Sequence, residues 1–250
     1  MLLGVRRGQS YDVHACSTSA LQAVDTVFQH HALIRTHAKT LSTLQIAVGR
    51  GLALSKVLTG QNRVKEGFEL RGASGESFGA IVAFGANASD PHHGNDDTRL
   101  RDGDCVLIDM GCVWKDYCSD MTRTKFFRSV TQEQKEVYEI VRKANETAKA
   151  MIRPGVRFCD IDAAARDVIE EAGYGEYFTH RLGHGIGLTE HEPEDVGPAN
   201  PHPVKPGMVF SIEPGIYLPG KFGVRIEDLV IVTEDGCECI NKDSRELQVI

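Results

Sequence analysis

The segment CVLIDMGCVWKDYCSDMTRT, residues 105–124, restricts the fold of this chain more than any other feature. Its layout predicts a β-hairpin in which Asp109 and Asp120 lie equally far from a central Trp114-Lys115 dipeptide. If the segment folds about that centre, the two carboxylates face each other with their Cβ atoms ~5 Å apart, where like charges are destabilising. A positive charge between them would remove the conflict.

A second segment, residues 209–232, repeats this arrangement. In VFSIEPGIYLPGKFGVRIEDLVIV, Glu213 and Glu227 lie equally far from Gly220. These acids adjoin apolar runs that are typical of buried strands, and buried carboxylates are rare unless they are paired or bound to a metal. The hypothesis that accounts for both hairpins is one metal ion, or two, held between the acid pairs.

Composition excludes several classes of function. The net charge of -7 argues against a nucleic-acid-binding protein, which usually carries a basic face. No apolar run reaches the ~20 residues of a membrane span, and no apolar stretch follows the N-terminal arginines as in a secretory signal. Seven cysteines without a CxxC pair favour reduced thiols, and so a reducing compartment. We therefore expect a soluble, cytoplasmic protein that binds neither nucleic acid nor membrane.

The order of elements predicts an α+β fold with a mostly antiparallel sheet covered by helices. Between the two hairpins, Thr131 and Gln134 form a capping box at the start of a one-sided helix. A second helix is predicted to begin after Asp160 and to stop at Gly173. Residues 1–70 are predicted to be a helical segment.

Histidines cluster in HRLGHGIGLTEHE, where His180, His184 and His191 surround three glycines. The glycines argue against a helix and allow backbone or ligand to approach closely. One imidazole added to four carboxylates favours Mn²⁺, Fe²⁺, Co²⁺ or Zn²⁺, whereas carboxylates alone would suit Mn²⁺, Mg²⁺ or Ca²⁺. The His92-His93 pair in a polar turn is a weaker candidate.

The chain resembles the "pita-bread" metallopeptidases of family M24 in five of these residues and in the motifs around them. The five, in chain order, are Asp109, Asp120, His184, Glu213 and Glu227. That family includes methionine aminopeptidase, aminopeptidase P and prolidase. The sequences YCSDMTRT, HRLGHGIGLTEHE, GMVFSIEPGIY and GVRIEDLVIV are similar to its Xaa-Pro branch, over about residues 72–250. The resemblance implies the pita-bread (creatinase/aminopeptidase) fold and hydrolysis of Xaa-Pro bonds in dipeptides or short peptides.

The resemblance also implies a ligand set for two metal ions. Asp109 would bind one ion, His184 and Glu213 the other, and Asp120 and Glu227 both. The two ions would activate a shared water as the hydroxide that attacks the scissile carbonyl. Mn²⁺ is the expected metal, with Co²⁺, Zn²⁺ or Fe²⁺ as alternatives.

Further roles follow from the same resemblance. Glu213 would also act as general base, His92 would contact the substrate amide, and His191 would stabilise the developing oxyanion. His180 would lie near the prolyl residue or its carboxylate. Arg225, two residues before a predicted ligand, would orient ligands from behind them, unless it is a plain surface ion pair.

Two features depart from the family pattern. Xaa-Pro enzymes usually carry an additional N-terminal domain, and residues 1–70 do not resemble the usual opening of the catalytic domain. We therefore divide the chain into a divergent or truncated N-terminal segment, residues 1–70, and a catalytic domain, residues 71–250. Methionine aminopeptidase and an inactive binding module are the alternative functions, and a homodimer is left open.

Overall fold

The computed structural model describes residues 57–70, 72–94 and 96–250, so most of the predicted N-terminal segment lies outside the described residues. The helices are α1 (Val57–Glu69), α2 (Gln132–Met151) and α3 (Phe158–Glu171), with short 3₁₀ helices at Gly85–Ser89 and Gly175–Tyr177. The strands are β1 (Gly75–Glu76), β2 (Ile81–Phe84), β3 (Cys105–Asp109), β4 (Cys112–Trp114), β5 (Tyr117–Cys118), β6 (Thr122–Phe126), β7 (Gly183–Gly185), β8 (Glu192–Val196), β9 (Val209–Ile212), β10 (Gly215–Leu218), β11 (Phe222–Arg225), β12 (Asp228–Val232) and β13 (Cys237–Cys239).

Two sheets form the scaffold. One has three strands in the order β2-β3-β6, and the other has five in the order β13-β12-β9-β7-β8. A β10-β11 hairpin and a small β1-β4-β5 sheet complete the strand pairing of the described residues, and every named pair is antiparallel. The predicted α+β class with an antiparallel sheet is confirmed.

Helix α2 begins at the predicted capping box. The Thr131 hydroxyl accepts from the Gln134 backbone N–H, and the Gln134 side chain accepts from the Thr131 N–H. The apolar face of the helix packs into the main core together with α3. On this buried face Asn145 donates to the carbonyls of Ile212 and Ile226, which stand immediately before Glu213 and Glu227. The helix therefore holds together the two backbone segments that carry these acids.

Helix α3 begins at Phe158, before the predicted start after Asp160, because Arg157 already has extended backbone and serves as the N-cap. Helix α1 packs Val64 and Phe68 against the face of the three-stranded sheet that α2 and α3 leave uncovered. None of the helices in the described part of the chain is long and apolar enough to cross a membrane.

The first hairpin turns one residue later than predicted. Lys115 and Asp116 both have positive φ, 47° and 70°, as the two central residues of a type I′ turn require. Asp109 therefore lies opposite Thr122 rather than opposite Asp120. The prediction that the two aspartates are directly opposed is wrong, although the charge of Asp109 still helps to raise the pKa of Asp120.

The second hairpin has the predicted register. Gly215 pairs with Arg225 on one side, and Ile212 pairs with Asp228 on the other. Glu213 and Glu227 occupy the interval between these two ladders, opposite each other. The strand pairing is interrupted at this point. The side chains of Glu213 and Glu227 are therefore available to bind a group that is not part of a neighbouring strand.

Candidate metal centre

The five predicted metal ligands converge where the two sheets meet. Ligand atoms of Asp120, His184 and Glu227 lie within 4.8 Å of one another, and all three side chains are buried. Glu213 Oε1 lies 3.4 Å from His184 Nε2. Asp109, at the end of β3, adjoins Asp120 and completes the group.

Two glycines allow the strand that carries His184 to enter the site. A Cβ at Gly183 would lie 2.0 Å from the Ser211 carbonyl oxygen, and one at Gly185 would lie 2.5 Å from the Pro193 carbonyl oxygen. Any side chain at either position would push β7 away from its neighbours. The glycines predicted to allow close approach therefore accommodate backbone, and they fix His184 between β8 and β9.

The imidazole of His184 is oriented by hydrogen bonds that point one nitrogen at the acids. Nδ1 lies 3.1 Å from the Gly185 carbonyl oxygen, so this nitrogen carries the proton. Burial lowers the pKa of His184 to about 4, which keeps the ring neutral. The lone pair on Nε2 is then directed at carboxylate oxygens, 3.4 Å from Glu213 and 3.8 Å from Asp120. Two acceptors at this distance repel each other unless a cation or a proton lies between them.

The acids of the site are hard to ionise as they stand. Burial, and then the charges of Glu227 and Asp109, raise the pKa of Asp120 well above its usual range. Burial and the charge of Glu213 do the same for the pKa of Glu227. Burial also raises the pKa of Glu213 to about 7. Nearby positive charge would restore all three carboxylates to their ionised form.

The donor set therefore fits divalent cations. Asp109 Oδ1 and Asp120 Oδ1 are buried and have no hydrogen-bond partner among the described residues. Four carboxylates face one another, yet within the described part of the chain a single guanidinium, that of Arg225, forms an ion pair with them. Oxygen ligands with one imidazole suit Mn²⁺, Fe²⁺, Co²⁺ or Zn²⁺.

Arg225 lies behind the ligands and is buried, so it is not a surface ion pair. Its Nη2 donates to Asp109 Oδ2 at 2.5 Å, and its Nε donates to the Thr122 hydroxyl at 3.0 Å. Its Nη1 lies 3.0 Å from both the Pro91 carbonyl oxygen and the Tyr217 hydroxyl. One guanidinium thus connects Asp109 to the loop that carries His92 and, through Tyr217, to His180.

His180 is held by hydrogen bonds on both ring nitrogens. Its Nδ1 lies 2.7 Å from the Arg181 carbonyl oxygen, so Nδ1 donates and Nε2 accepts from the Tyr217 hydroxyl at 2.8 Å. Burial lowers the pKa of His180 to about 4, with small further contributions from Arg225 and His92. The ring is neutral and fixed, and both of its nitrogens already have a hydrogen-bond partner.

His92 and His191 line the open side of the site. The His92 backbone N–H donates to Asp90 Oδ1, and the side chain is exposed. His191 packs edge-to-face on His184, with the ring centroids 4.1 Å apart, while 58% of its side chain stays exposed. Its Nε2 lies 3.8 Å from Glu190 Oε1, an acid that the sequence reasoning did not single out.

The comparison with known families agrees with this geometry. The model of a family described as metallopeptidase family M24 matches residues 29–234. The chain belongs to metallopeptidase family M24. The predicted family is thereby confirmed, and the matched range includes all five predicted metal ligands.

Relatives in family M24 are closely similar to the chain. An uncharacterized peptidase of Staphylococcus saprophyticus is 48% identical over 179 residues, which cover 72% of this chain and 51% of that protein. Another, from Staphylococcus epidermidis, is 44% identical over 212 residues, which cover 80% of this chain and 60% of that protein. The chain thus spans little more than half the length of these relatives.

Solved structures from the same family share the fold. A prolidase from Thermococcus sibiricus superposes with a TM-score of 0.82 at 40% identity, covering 86% of this chain and 59% of that one. An X-Pro aminopeptidase from Thermotoga maritima gives a TM-score of 0.83 at 36% identity, covering 87% and 62%. The pita-bread fold and the likeness to the Xaa-Pro branch of family M24 are confirmed. The division of the chain at residue 70 stays a prediction.

Three residues that hold side chains of this candidate site were not predicted from the sequence. The Thr122 hydroxyl donates to Glu227 Oε2 at 2.7 Å, and the Ser211 hydroxyl donates to Glu213 Oε1 at 3.0 Å. Tyr217 is the third, through its contacts with Arg225 and His180. The alternation of residues along a strand could have suggested Ser211, which lies two positions before Glu213. Nothing in the sequence relates Thr122 to an acid that lies 105 positions away.

Asp228, the residue after Glu227, is a further buried acid beside the candidate metal centre. Arg123, Lys149 and Arg245 all contact its carboxylate, at 2.8 Å, 2.6 Å and 2.5 Å. Burial opposes its ionisation, but these three cations outweigh burial and hold the pKa of Asp228 well below its ordinary range. Arg123 also donates to the Glu227 carbonyl oxygen, so this cluster fixes the backbone of the neighbouring ligand.

Proposed function

We propose that this M24 protein is a dinuclear metal-dependent peptidase that hydrolyses the Xaa-Pro bond of dipeptides or short peptides. The observation that carries the proposal is the convergence of four carboxylates and one neutral imidazole, with unpartnered buried oxygens on Asp109 and Asp120. The structural likeness to a prolidase and an X-Pro aminopeptidase supports the choice of substrate. An inactive binding module is disfavoured because the ligand set is complete.

The proposed ligands divide as the family resemblance implies. Asp109 would hold one cation, His184 and Glu213 the other, and Asp120 and Glu227 both, with Mn²⁺ as the expected metal. When bound, such cations lower the pKa of a water molecule so that it can attack a carbonyl near neutral pH.

Glu213 is suited to carry the proton of that reaction. Its Oε1 lies 3.4 Å from His184 Nε2, among the other proposed ligands, and bound cations would keep the carboxylate in the ionised form that a general base needs. The Ser211 hydroxyl donates to Oε1, which leaves Oε2 as the oxygen that exchanges the proton. We propose that Glu213 takes a proton from the attacking water and delivers it to the prolyl nitrogen, the leaving group.

The three histidines around the opening have separate proposed roles. His191, exposed beside His184, donates from its ring to the oxygen of the tetrahedral intermediate. His180 has both nitrogens engaged, so it contacts the prolyl ring through its face rather than by a hydrogen bond. His92 contacts the substrate amide from the loop that Arg225 anchors. The cytoplasmic location and the homodimer remain predictions.

Hydrolysis of three peptides by purified, metal-stripped protein tests the proposal. Ala-Pro, Ala-Pro-Ala and Met-Ala-Ser are incubated with and without added Mn²⁺. Metal-dependent cleavage of a prolyl peptide is the expected result, and its preferred length distinguishes a dipeptidase from an aminopeptidase. Cleavage of Met-Ala-Ser alone would place the protein with the methionine aminopeptidases. Binding of metal without any cleavage would overturn the proposed activity and favour the binding module.

A further inference from the structure

The ring of His191 has a defined position but no side-chain hydrogen bond among the described residues. It lies 4.1 Å from the His184 ring, and its Nε2 is 3.8 Å from Glu190 Oε1, which is too far for a hydrogen bond. More than half of its side chain is exposed. The position of this ring must therefore be set by the backbone of the loop between β7 and β8.

One carboxylate organises that loop. Glu192 Oε1 accepts from two consecutive backbone N–H groups, those of Leu188 at 2.7 Å and Thr189 at 3.0 Å. Hydrogen bonds to an ionised acceptor are stronger than neutral ones, and paired N–H donors fix the path of the backbone between them. The carboxylate thus acts as the core of a tight loop that leads directly to His191.

Gly187 and Thr189 make further contacts that hold the loop around the Glu192 carboxylate. A Cβ at Gly187 would lie 2.8 Å from Glu192 Oε2, so a larger residue there would displace the carboxylate from this position. The Gly187 carbonyl oxygen accepts from the Cys118 N–H at 2.7 Å, and the Thr189 hydroxyl donates to the His191 carbonyl oxygen at 3.1 Å. The loop is therefore tied to the first hairpin at one end and to His191 at the other.

Glu192 itself is firmly placed. It is the first residue of β8 and pairs with Gly185, the residue after the ligand His184. Its backbone thus belongs to the same strand pair as the metal centre, while its side chain reaches back over the loop. We propose that Glu192 is a positioning residue that holds His191 against His184, and that it acts on peptide hydrolysis only through His191. The catalytic part of this inference rests on the proposed function, whereas the positioning part rests on geometry alone.

Two measurements on metal-free protein test the positioning without any substrate. In Glu192→Ala, we expect hydrogen exchange at the Leu188 and Thr189 amides to accelerate by about tenfold or more, because both lose a charged acceptor. We also expect the nuclear Overhauser effect between the His184 and His191 rings to disappear. In Glu192→Gln the amide oxygen still accepts both bonds, so both signals should stay near wild type. Wild-type exchange rates and an intact ring contact in Glu192→Ala would overturn the proposal.

Glu194→Ala is the matched control. Glu194 is the next acid along β8, and its carboxylate contacts Asn200 and His202, away from the loop. Its removal should leave the exchange rates at Leu188 and Thr189 and the ring contact unchanged. Loss of both in Glu194→Ala as well would show that any change in β8 loosens the loop, and the assignment to Glu192 would be wrong.

Kinetics on the Mn²⁺-loaded protein test the route through His191. A displacement of a reacting group by ~1 Å can cost ~10²-fold, so we expect kcat to fall by that order in Glu192→Ala, with KM and metal affinity little changed. In His191→Ala/Glu192→Ala, kcat should be no lower than in His191→Ala alone, because neighbours that act as a unit are not additive. Additive losses would contradict action through His191. An inactive wild type would refute the proposed function and the catalytic part together, and the two measurements on metal-free protein would then decide the positioning alone.

Discussion

Glu227 and Asp228 are consecutive buried acids with opposite electrostatic surroundings. Asp228 lies among three cations that the chain itself supplies, and its pKa is depressed. Glu227 lies among other acids, and its pKa is raised by burial and by the charges of Glu213 and Asp109. Successive residues of an extended chain point to opposite sides. Two clusters therefore lie one residue apart: in one, nearby cations balance the charge of the buried acid, and in the other they do not.

The difference shows which cluster is complete. The free energy cost of burying a carboxylate is offset only when opposite charge and hydrogen bonds surround it. The Asp228 cluster meets that requirement from within the fold, so it contributes to structure. The fold does not supply enough positive charge for the Glu227 cluster, so the rest of that charge has to come from cations in solution. Four predictions, in decreasing order of effect, test this contrast.

The largest effect is expected for Glu227→Gln on hydrolysis. Metal ions stabilise the transition state by several kcal/mol, and each 1.36 kcal/mol is tenfold, so the rate on a prolyl peptide should fall by ~10³-fold or more. The metal-free variant should be no less stable than wild type, because burial and the neighbouring acids already disfavour the ionised form of Glu227, and glutamine is a neutral side chain of the same shape. Assays with Mn²⁺ and denaturant unfolding without it measure the two quantities. Glu234→Gln, an exposed acid of the same type, is the control and should keep wild-type activity.

Asp228→Asn should affect stability instead. Removal of one partner from a buried ion cluster leaves the others uncompensated and costs ~3–5 kcal/mol, with or without metal. Urea denaturation of the metal-free protein measures the loss. A variant that is destabilised only in the presence of metal would place Asp228 in the metal site and would end the distinction between the two clusters.

The contrast between the clusters also explains what the sequence could and could not predict. The acids that converge at the site and the register of the second hairpin were predictable, because acids within apolar strands and an evident turn at Gly220 mark them. The turn at Lys115 and Asp116 was missed, because it contains no glycine to mark its positive φ values. The partners of Asp228 were missed for a different reason. Arg123 lies 105 positions from Asp228 along the chain, and only the fold brings them together.

Addition of metal should stabilise the wild type by an intermediate amount. A ligand at 100 times its Kd stabilises the folded state by ~2.7 kcal/mol, which for a chain of 250 residues corresponds to a rise in Tm of roughly 5–10 °C. Thermal unfolding with and without Mn²⁺ measures this rise. Glu227→Gln should show a much smaller rise, whereas Asp228→Asn should show the full rise from a lower starting Tm. An equal rise in all three proteins would indicate metal binding elsewhere.

The smallest effect is a pH dependence of opposite sign at the two clusters. The folded-state pKa of Glu213 is raised to about 7 from 4.5, so the folded state binds more protons, and Glu213 costs increasing stability as pH rises through this interval. In the metal-free protein, the stability of wild type relative to Glu213→Gln should fall by about 2 kcal/mol between pH 5 and pH 7. The comparison between variants is needed because burial lowers the pKa of His180 and His184, and their titration changes stability in the opposite direction. For Asp228, whose pKa is lowered, the stability of wild type relative to Asp228→Asn should stay constant from pH 5 to pH 7 and should decline only at pH values below the usual pKa of aspartate. If both differences followed the same pH curve, the two acids would belong to one cluster.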